Sequence, residues 1–157
     1  MTATISLQKL NQFIVQAKAA TYVGDGQNAE PSRKRAHDLA FQDGDFSYLD
    51  SYFGGTDFIG QEVVYEKDEP VWAMNYYGRI LQPEKITAVQ AGQIIKQSLS
   101  KLYEEERFWG GFSHTVGAFS YTDTSQGDLP SFTGKEWITR NGMTVYELVY
   151  HGGMIKV

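Results

Sequence analysis

The chain has 157 residues, with 14 Lys and Arg against 19 Asp and Glu, and it contains no cysteine. Its length is typical of one domain with its own core, so we predict a single domain over residues 1–157. The lack of cysteine excludes thiol nucleophiles, disulfides and Cys-ligated metals, and the net charge of -5 argues against direct nucleic acid binding, which needs many Lys and Arg contacts.

The N-terminal segment has the pattern of a capped amphipathic helix. Apolar residues recur at three- and four-residue spacing over residues 7–20, which places them on one stripe. Ser6 is suited to cap the first turn of this helix. The helix is followed by a predicted irregular loop over residues 22–36, which contains Gly24-Asp25-Gly26 and whose role stays open.

From His37 to Leu81 the pattern changes to short strands separated by tight turns. Asp43-Gly44 is a strong hairpin signal. Gly54-Gly55 and residues 67–70 mark two further turns. Three tight connections in succession predict four antiparallel strands.

A second helix is predicted after Pro83. Thr87 and Gln90 have the spacing of a capping box, and the helix should end near Glu104-Glu105-Glu106. Three more strands are expected after it, at about residues 112–121, 132–139 and 144–151.

The predicted element order is α-β-β-β-β-α-β-β-β. This order indicates an α+β fold, with a mostly antiparallel curved sheet of about seven strands and both helices on one face. The sequence indicates no internal repeat and no low-complexity segment. It also has no run of about 20 apolar residues and no signal peptide pattern, so we expect a cytoplasmic protein with no membrane association.

Aromatic residues make up 14% of the chain, and rings fall on both faces of two predicted strands. Residues 46–53 and 71–77 both carry large rings at odd and even positions. A sheet with rings on both faces is either covered twice or borders a pocket. Because only two helices can cover it, we expect a concave pocket or an oligomer interface, although cross-strand packing explains any single ring equally well.

Isolated polar residues interrupt the same strands. A charge on a buried face must be paired or must serve a function, so a mixed set of Arg, His and carboxylates indicates either ligand contacts or an internal salt-bridge network. With the neighbouring rings, the candidate ligand-binding residues are Arg33, His37, Asp50, Tyr52, Glu62, Trp72, Asn75, Tyr76, Arg79 and His151.

No motif identifies a reaction, a metal or a cofactor. His37, His114 and His151 are far apart and lack the paired spacing of zinc sites. Phosphate-loop and nucleophile-elbow patterns are also missing. We therefore predict no metal and no cofactor, and the catalytic residues, if the protein is an enzyme, stay unknown.

Several blocks of the sequence match a known family. They are the runs from Tyr48 to Gly55, from Pro70 to Arg79 and from Tyr146 to Gly153. On these blocks the chain resembles a bacterial family of unknown function whose members occur alone or behind a helix-turn-helix, in proteins labelled XRE-like transcriptional regulators. The resemblance implies a sensor-like domain. Since this chain opens directly with the capped helix, we expect it to lack a DNA-binding module of its own.

These observations leave three hypotheses about function. The first is a non-enzymatic small-molecule-binding or regulatory domain that takes a small polar or aromatic ligand. The second is a small enzyme in which His37 or His151 forms an acid–base pair with Asp50 or Glu62. The third is a protein-interaction or dimerisation module. The identity of the ligand and the choice between monomer and homodimer stay open.

Overall fold

The computed structural model describes residues 4–23 and 28–157 and confirms an α+β fold built on an antiparallel sheet. The Gly24-Asp25-Gly26 motif lies outside the described residues. The helices are α1 (Leu7–Lys18), continued by a π-helical turn (Ala19–Val23), and α2 (Ala88–Tyr103), and the strands are β1 (Asn28–Ala29), β2 (His37–Asp43), β3 (Phe46–Gly54), β4 (Phe58–Glu66), β5 (Glu69–Ile80), β6 (Phe112–Val116), β7 (Phe119–Asp128), β8 (Ser131–Arg140) and β9 (Met143–Met154).

Both helices begin where the capping signals predict. The Ser6 hydroxyl accepts a hydrogen bond from the backbone N–H of Lys9 at 3.3 Å. At α2, the backbone N–H of Gln90 donates to the Thr87 hydroxyl at 3.1 Å, and the Thr87 N–H donates to the Gln90 side chain at 3.0 Å. These bonds satisfy N–H groups that have no partner within the helix, which explains why each helix begins at that point. No described helix is long and apolar enough to span a membrane.

The predicted number and order of strands were wrong, because the described residues form nine strands rather than seven. One added strand is β1, which lies inside the predicted loop and pairs with β2. The other arises because a tight turn at Gly117-Ala118 divides the predicted strand 112–121 into β6 and β7. Gly117 has a φ of 59°, a conformation that glycine adopts without the steric cost that other residues bear.

The strands form one sheet in the order β1-β2-β3-β4-β5-β9-β8-β7-β6, with every neighbouring pair antiparallel. As predicted, both helices pack on one face, which we call the inner face; the opposite side is the outer face. The buried core between helices and sheet includes Leu10, Phe13, Ile14, Ala91, Ile94, Ile95, Trp72, Tyr121, Ile138 and Tyr146.

The topology contains an internal repeat that the sequence analysis missed. α1 with β2–β5 and α2 with β6–β9 follow the same order, and the two halves meet where β5 pairs with β9. At that junction Tyr76 pairs with Tyr150. Each of these rings lies over a glycine of the adjacent strand, Gly60 or Gly134, at positions where a Cβ atom would collide with the ring. The two halves are therefore related by an approximate two-fold axis between the paired tyrosines.

The repeat is also visible in the sequence at equivalent places of the two halves. Residues 44–51 and 117–124 share the pattern Gly-x-Phe-Ser-Tyr-x-Asp followed by Ser or Thr. Residues 58–62 and 132–136 share Phe-x-Gly-x-Glu. In each half the Tyr, Asp and Glu of these patterns point to the inner face, where they form the site described next.

Candidate functional site

The first half of the repeat holds a buried lysine against a cluster of acids and tyrosines. The Lys18 ammonium at the end of α1 lies 2.8 and 3.0 Å from the two carboxylate oxygens of Glu62. The Tyr48 hydroxyl donates to the same carboxylate. Asp50 pairs with Glu62 across β3 and β4 and accepts a hydrogen bond from the Tyr76 hydroxyl at 2.6 Å. We call Tyr48, Asp50, Glu62 and Tyr76 the first acidic cluster.

The second half repeats this arrangement with different partners. Asp123 and Glu136 pair across β7 and β8, as Asp50 and Glu62 do in the first half. The Tyr150 hydroxyl donates to Asp123 at 2.7 Å. The Tyr121 and Tyr146 hydroxyls both donate to Glu136, the latter at 3.0 Å. These five residues are the second acidic cluster, and no Lys or Arg among the described residues forms an ion pair with its carboxylates.

Both clusters face one cavity of about 80 Å³. A polar space of this size has room for ordered water. The cavity is lined by Lys18, Tyr22, Tyr48, Asp50, Phe58, Glu62, Met74, Tyr76, Leu99, Tyr103, Phe108, Asp123, Glu136, Leu148 and Tyr150. The sheet, both helices and the segment after α2 thus all contribute to the lining, which combines apolar side chains with the two acidic clusters.

Acidic groups outnumber basic groups around this cavity. Four carboxyl groups, each no more than 7% exposed, face the one Lys18 ammonium. Burial, and secondarily the neighbouring Glu62 carboxylate, raise the pKa of Asp50 to about 7. Burial and the Glu136 carboxylate likewise raise the pKa of Asp123 to about 7. Removal from water disfavours the ionised form, so these acids exchange protons near neutral pH.

The tyrosines act as fixed hydrogen-bond donors to these acids. Burial, followed by the nearby carboxylates, raises the pKa of Tyr48, Tyr121 and Tyr146 well above the ordinary value. Their hydroxyls therefore keep their protons across the physiological range. Each of them points its proton at a carboxylate, which satisfies that acid without neutralising it.

A larger, open cleft of about 440 Å³ lies between α2 and the first half of the sheet. It shares Tyr22, Asp50, Phe58 and Tyr76 with the cavity of about 80 Å³. Asp50 and Tyr76 therefore form part of the wall between the two spaces. A molecule in the cleft would meet the first acidic cluster directly.

Of the predicted ligand contacts, the structure brings Asp50, Glu62 and Tyr76 together on the inner face. Trp72 also lies on this face but belongs to the core, since it is 0% exposed. Its indole N–H donates to the backbone carbonyl of Leu129 at 3.2 Å, which occupies its one polar atom. Trp72 is therefore placed for packing rather than for contact with a ligand.

The structure places neither histidine of the predicted acid–base pair in the acidic cluster with Asp50 and Glu62. His151 lies on the outer face, so the sheet separates it from Asp50 and Glu62. His37 lies at the exposed end of β2, where its ring centroid is 5.0 Å from that of Tyr52. Tyr52 lines the open cleft, which places His37 beside the cleft rather than within the acidic cluster.

The remaining candidates lie on the outer face. Arg33, Asn75 and His151 line a groove of about 590 Å³ that also includes Phe53. The Arg33 guanidinium lies 4.6 Å from the Phe53 ring centroid. Arg79 is on the same face, where it forms an ion pair of 3.6 Å with a glutamate of β9. The rings and polar residues predicted to line one pocket are thus divided between two faces.

Sequence reasoning missed Lys18 and the whole second acidic cluster. Lys18 lies on the apolar stripe of α1, where an unpaired lysine would be costly, and that position was the available signal. Asp123 and Glu136 could have been found from the internal repeat, because in the second half they take the positions that Asp50 and Glu62 have in the first half. Across residues 4–23 and 28–157, no three His, Asp or Glu side chains are arranged to hold a metal ion.

Fold and site together define a duplicated αβ domain with two buried acidic clusters. A family model described as a domain of unknown function, DUF5680, matches residues 50–155, which is more than half of the chain. The chain therefore belongs to the DUF5680 family, and the match covers the second half of the repeat and the first half from Asp50 onward. No curated protein and no solved structure matches the chain.

Proposed function

We propose that this domain binds a small organic ligand in the open cleft between α2 and the sheet, without chemical conversion, and that it has a regulatory role. The observation that carries the proposal is a cleft of about 440 Å³ whose wall contains two largely buried polar groups, Asp50 and Tyr76. Ligand sites in proteins are typically concave spaces of roughly 300–1,000 Å³.

The lining of the cleft has the composition of a binding site. Apolar side chains form part of it, and several polar side chains converge on it, which is the combination that holds a ligand body and orients its polar end. The apolar lining residues are Leu39, Phe58, Ile80, Ala88, Ala91 and Ile95, and the polar ones include Thr21, Tyr22, Asp50, Tyr52, Tyr76, Lys96 and Tyr146.

The position of α2 supports a regulatory role. Ala91 and Ile95 line the cleft, whereas Leu99 and Tyr103 of the same helix line the neighbouring cavity. A ligand in the cleft would contact α2 along about two turns and restrain it against the sheet. A partner that distinguishes the restrained helix from the free one would respond to the ligand. This is the behaviour of a sensor, as expected from the resemblance to domains found behind DNA-binding modules.

A substitution on α2 tests the cleft without damaging the core. Gly92 lines the cleft, and a Cβ atom there meets nothing within 4 Å. Gly92→Leu should fill the cleft, and because glycine is a poor helix former it should not lower stability. We expect ligands found by a thermal-shift screen of the wild type to bind this variant at least about tenfold more weakly, which corresponds to about 1.4 kcal/mol.

Gln93→Leu is the matched control, since Gln93 is exposed and lies outside the cleft lining. It should bind the same ligands as the wild type does. Equal binding by Gly92→Leu and the wild type, measured by calorimetry, would show that the ligands bind elsewhere and would overturn the proposal.

Acid–base catalysis in the same cleft is a second candidate function. The specific observation in its favour is Asp50, whose pKa of about 7 suits proton transfer at neutral pH and which lines the open cleft. His37 stands beside that cleft through its contact with Tyr52. This candidate predicts turnover of a bound ligand that Asp50→Asn abolishes. Recovery of the ligand chemically unchanged after long incubation would exclude it.

A further inference from the structure

Each acidic cluster contains one Asp and one Glu, but the two clusters differ in their contacts with cationic side chains. In the first, the Lys18 ammonium takes the Glu62 carboxylate and lies 3.8 Å from the Met74 sulfur. In the second, no Lys or Arg of the described residues lies within ion-pair distance of Asp123 or Glu136, although Lys18 acts on both at longer range and opposes the rise of their pKa. The approximate two-fold symmetry thus indicates what kind of group such a cluster accommodates, and the second cluster lacks a direct ion pair of that kind in the described part of the chain.

We propose that the second acidic cluster binds the ammonium group of an organic amine, in the role that the Lys18 ammonium has in the first cluster. This inference rests on the proposed function, since the body of the amine would lie in the open cleft. It names the class of ligand: a primary amine on a short chain that carries a larger apolar body.

Unused hydrogen-bond acceptors in the cavity support this assignment independently of the charges. Tyr103 lines the cavity and is 9% exposed, and its hydroxyl has no hydrogen-bond partner within residues 4–23 and 28–157. Asp123 is 4% exposed, and the described residues occupy only one of its carboxylate oxygens, through Tyr150. Buried polar groups are normally paired, and an ammonium brings three donors and no acceptor. It can donate to the second Asp123 carboxylate oxygen and to the Tyr103 hydroxyl oxygen.

The dimensions of the two spaces determine the shape of the amine. A cavity of about 150 Å³ holds a benzene molecule, so the smaller cavity of about 80 Å³ suits an ammonium with a short methylene chain better than a ring. The cavity and the cleft share Tyr22, Asp50, Phe58 and Tyr76 in their linings, and the hydrogen bond of 2.6 Å between Tyr76 and Asp50 lies between them. The proposal therefore requires Tyr76 to move aside, so that a chain can place the ammonium in the cavity and its apolar body against α2.

Phenethylamine and phenethyl alcohol are a matched pair of probes for this inference. They have the same ring and chain and differ in the ammonium, which is charged at neutral pH. We expect calorimetry to show phenethylamine binding the wild type at least about tenfold more tightly, the ratio typical of a hydrogen bond to a charged group. Asp123→Asn should remove this preference, because it keeps an acceptor for Tyr150 but no negative charge. Asp45→Asn, at an exposed turn, is the control and should leave the preference unchanged.

The possible results separate the two proposals. If both probes bind the wild type equally, or if Asp123→Asn retains the preference for the amine, the ammonium site is wrong and the cleft is supported. If KCl alone protects the protein as well as phenethylamine does, an inorganic cation suffices and the inference also fails. If neither probe binds and the wider screen finds no cleft ligand, both proposals fail.

Discussion

The Lys18–Glu62 ion pair is removed from water, so each partner depends on the other. Both residues are 5% exposed, and the lysine also lies 5.0 Å from the ring centroid of Phe108. Burying two charges costs several kcal/mol per ion, and this cost is recovered only when the pair is intact and well hydrogen-bonded. The pair therefore adds little net stability, whereas a single partner left alone is strongly unfavourable.

This asymmetry makes a prediction about stability. Lys18→Met should lower the free energy of unfolding by about 3–5 kcal/mol, because it leaves the Glu62 carboxylate buried without a cation. The double variant Lys18→Met with Glu62→Gln should recover a large part of that loss, since its buried groups are neutral. Urea unfolding of the three proteins measures both effects. Equal stabilities for the single and double variants would contradict the view that the unpaired charge is the cause.

The raised pKa values of Asp50 and Asp123 predict how stability depends on pH. Each pKa rises from an ordinary 3.8 to about 7 on folding, so the folded state binds protons more tightly than the unfolded state does. The stability that these two groups contribute is fully present below about pH 4, decreases as pH rises to about 7 and is constant above that.

Replacing both acids by Asn should therefore flatten the pH dependence over this interval. At about pH 8 the Asp50→Asn, Asp123→Asn variant should be more stable than the wild type by several kcal/mol, because the cost of burying two negative charges is removed. Chemical denaturation at several pH values tests this, with Asp45→Asn as the exposed control. An unchanged profile would show that neither acid titrates near neutrality.

At the residue scale, the alternation of residues along the strands correctly placed part of the site. Asp50 and Tyr76 alternate in step with buried residues of their own strands, so period-two patterning places them on the covered face. The same patterning could not say which face the helices cover. Asn75 and His151 therefore entered the same candidate list although they lie on the outer face.

At the scale of elements, local signals predicted what local interactions determine. The caps at Ser6 and Thr87 place the helix starts, and Asp43-Gly44 lies at the observed turn between β2 and β3. Gly117-Ala118 was missed although a glycine at the first turn position is typical of type II′ hairpins, because the flanking residues continue one strand-like run. β1 is two residues long and is defined by its pairing with β2, which a pattern within one segment cannot reveal.

At the scale of the whole molecule, the duplication explains why one site has two halves. The pairing of Tyr76 with Tyr150 brings the central strands of the two repeats together, and both acidic clusters then face the same cavity. The repeat is visible when residues 44–51 and 117–124 are compared with each other. Composition and periodicity do not reveal it, because neither compares one segment with another. How the halves meet depends on the pairing of β5 with β9, which involves residues about 74 positions apart and follows from tertiary structure alone.

The central claim is that the inner face forms a ligand site, and a crystal structure of the protein with phenethylamine tests it most directly. We expect the phenyl ring to lie in the cleft against Ala91 and Ile95, with the amine nitrogen within hydrogen-bond distance of Asp123. Electron density for the probe in the outer-face groove beside Phe53 and His151, with an unchanged inner cavity, would contradict the claim.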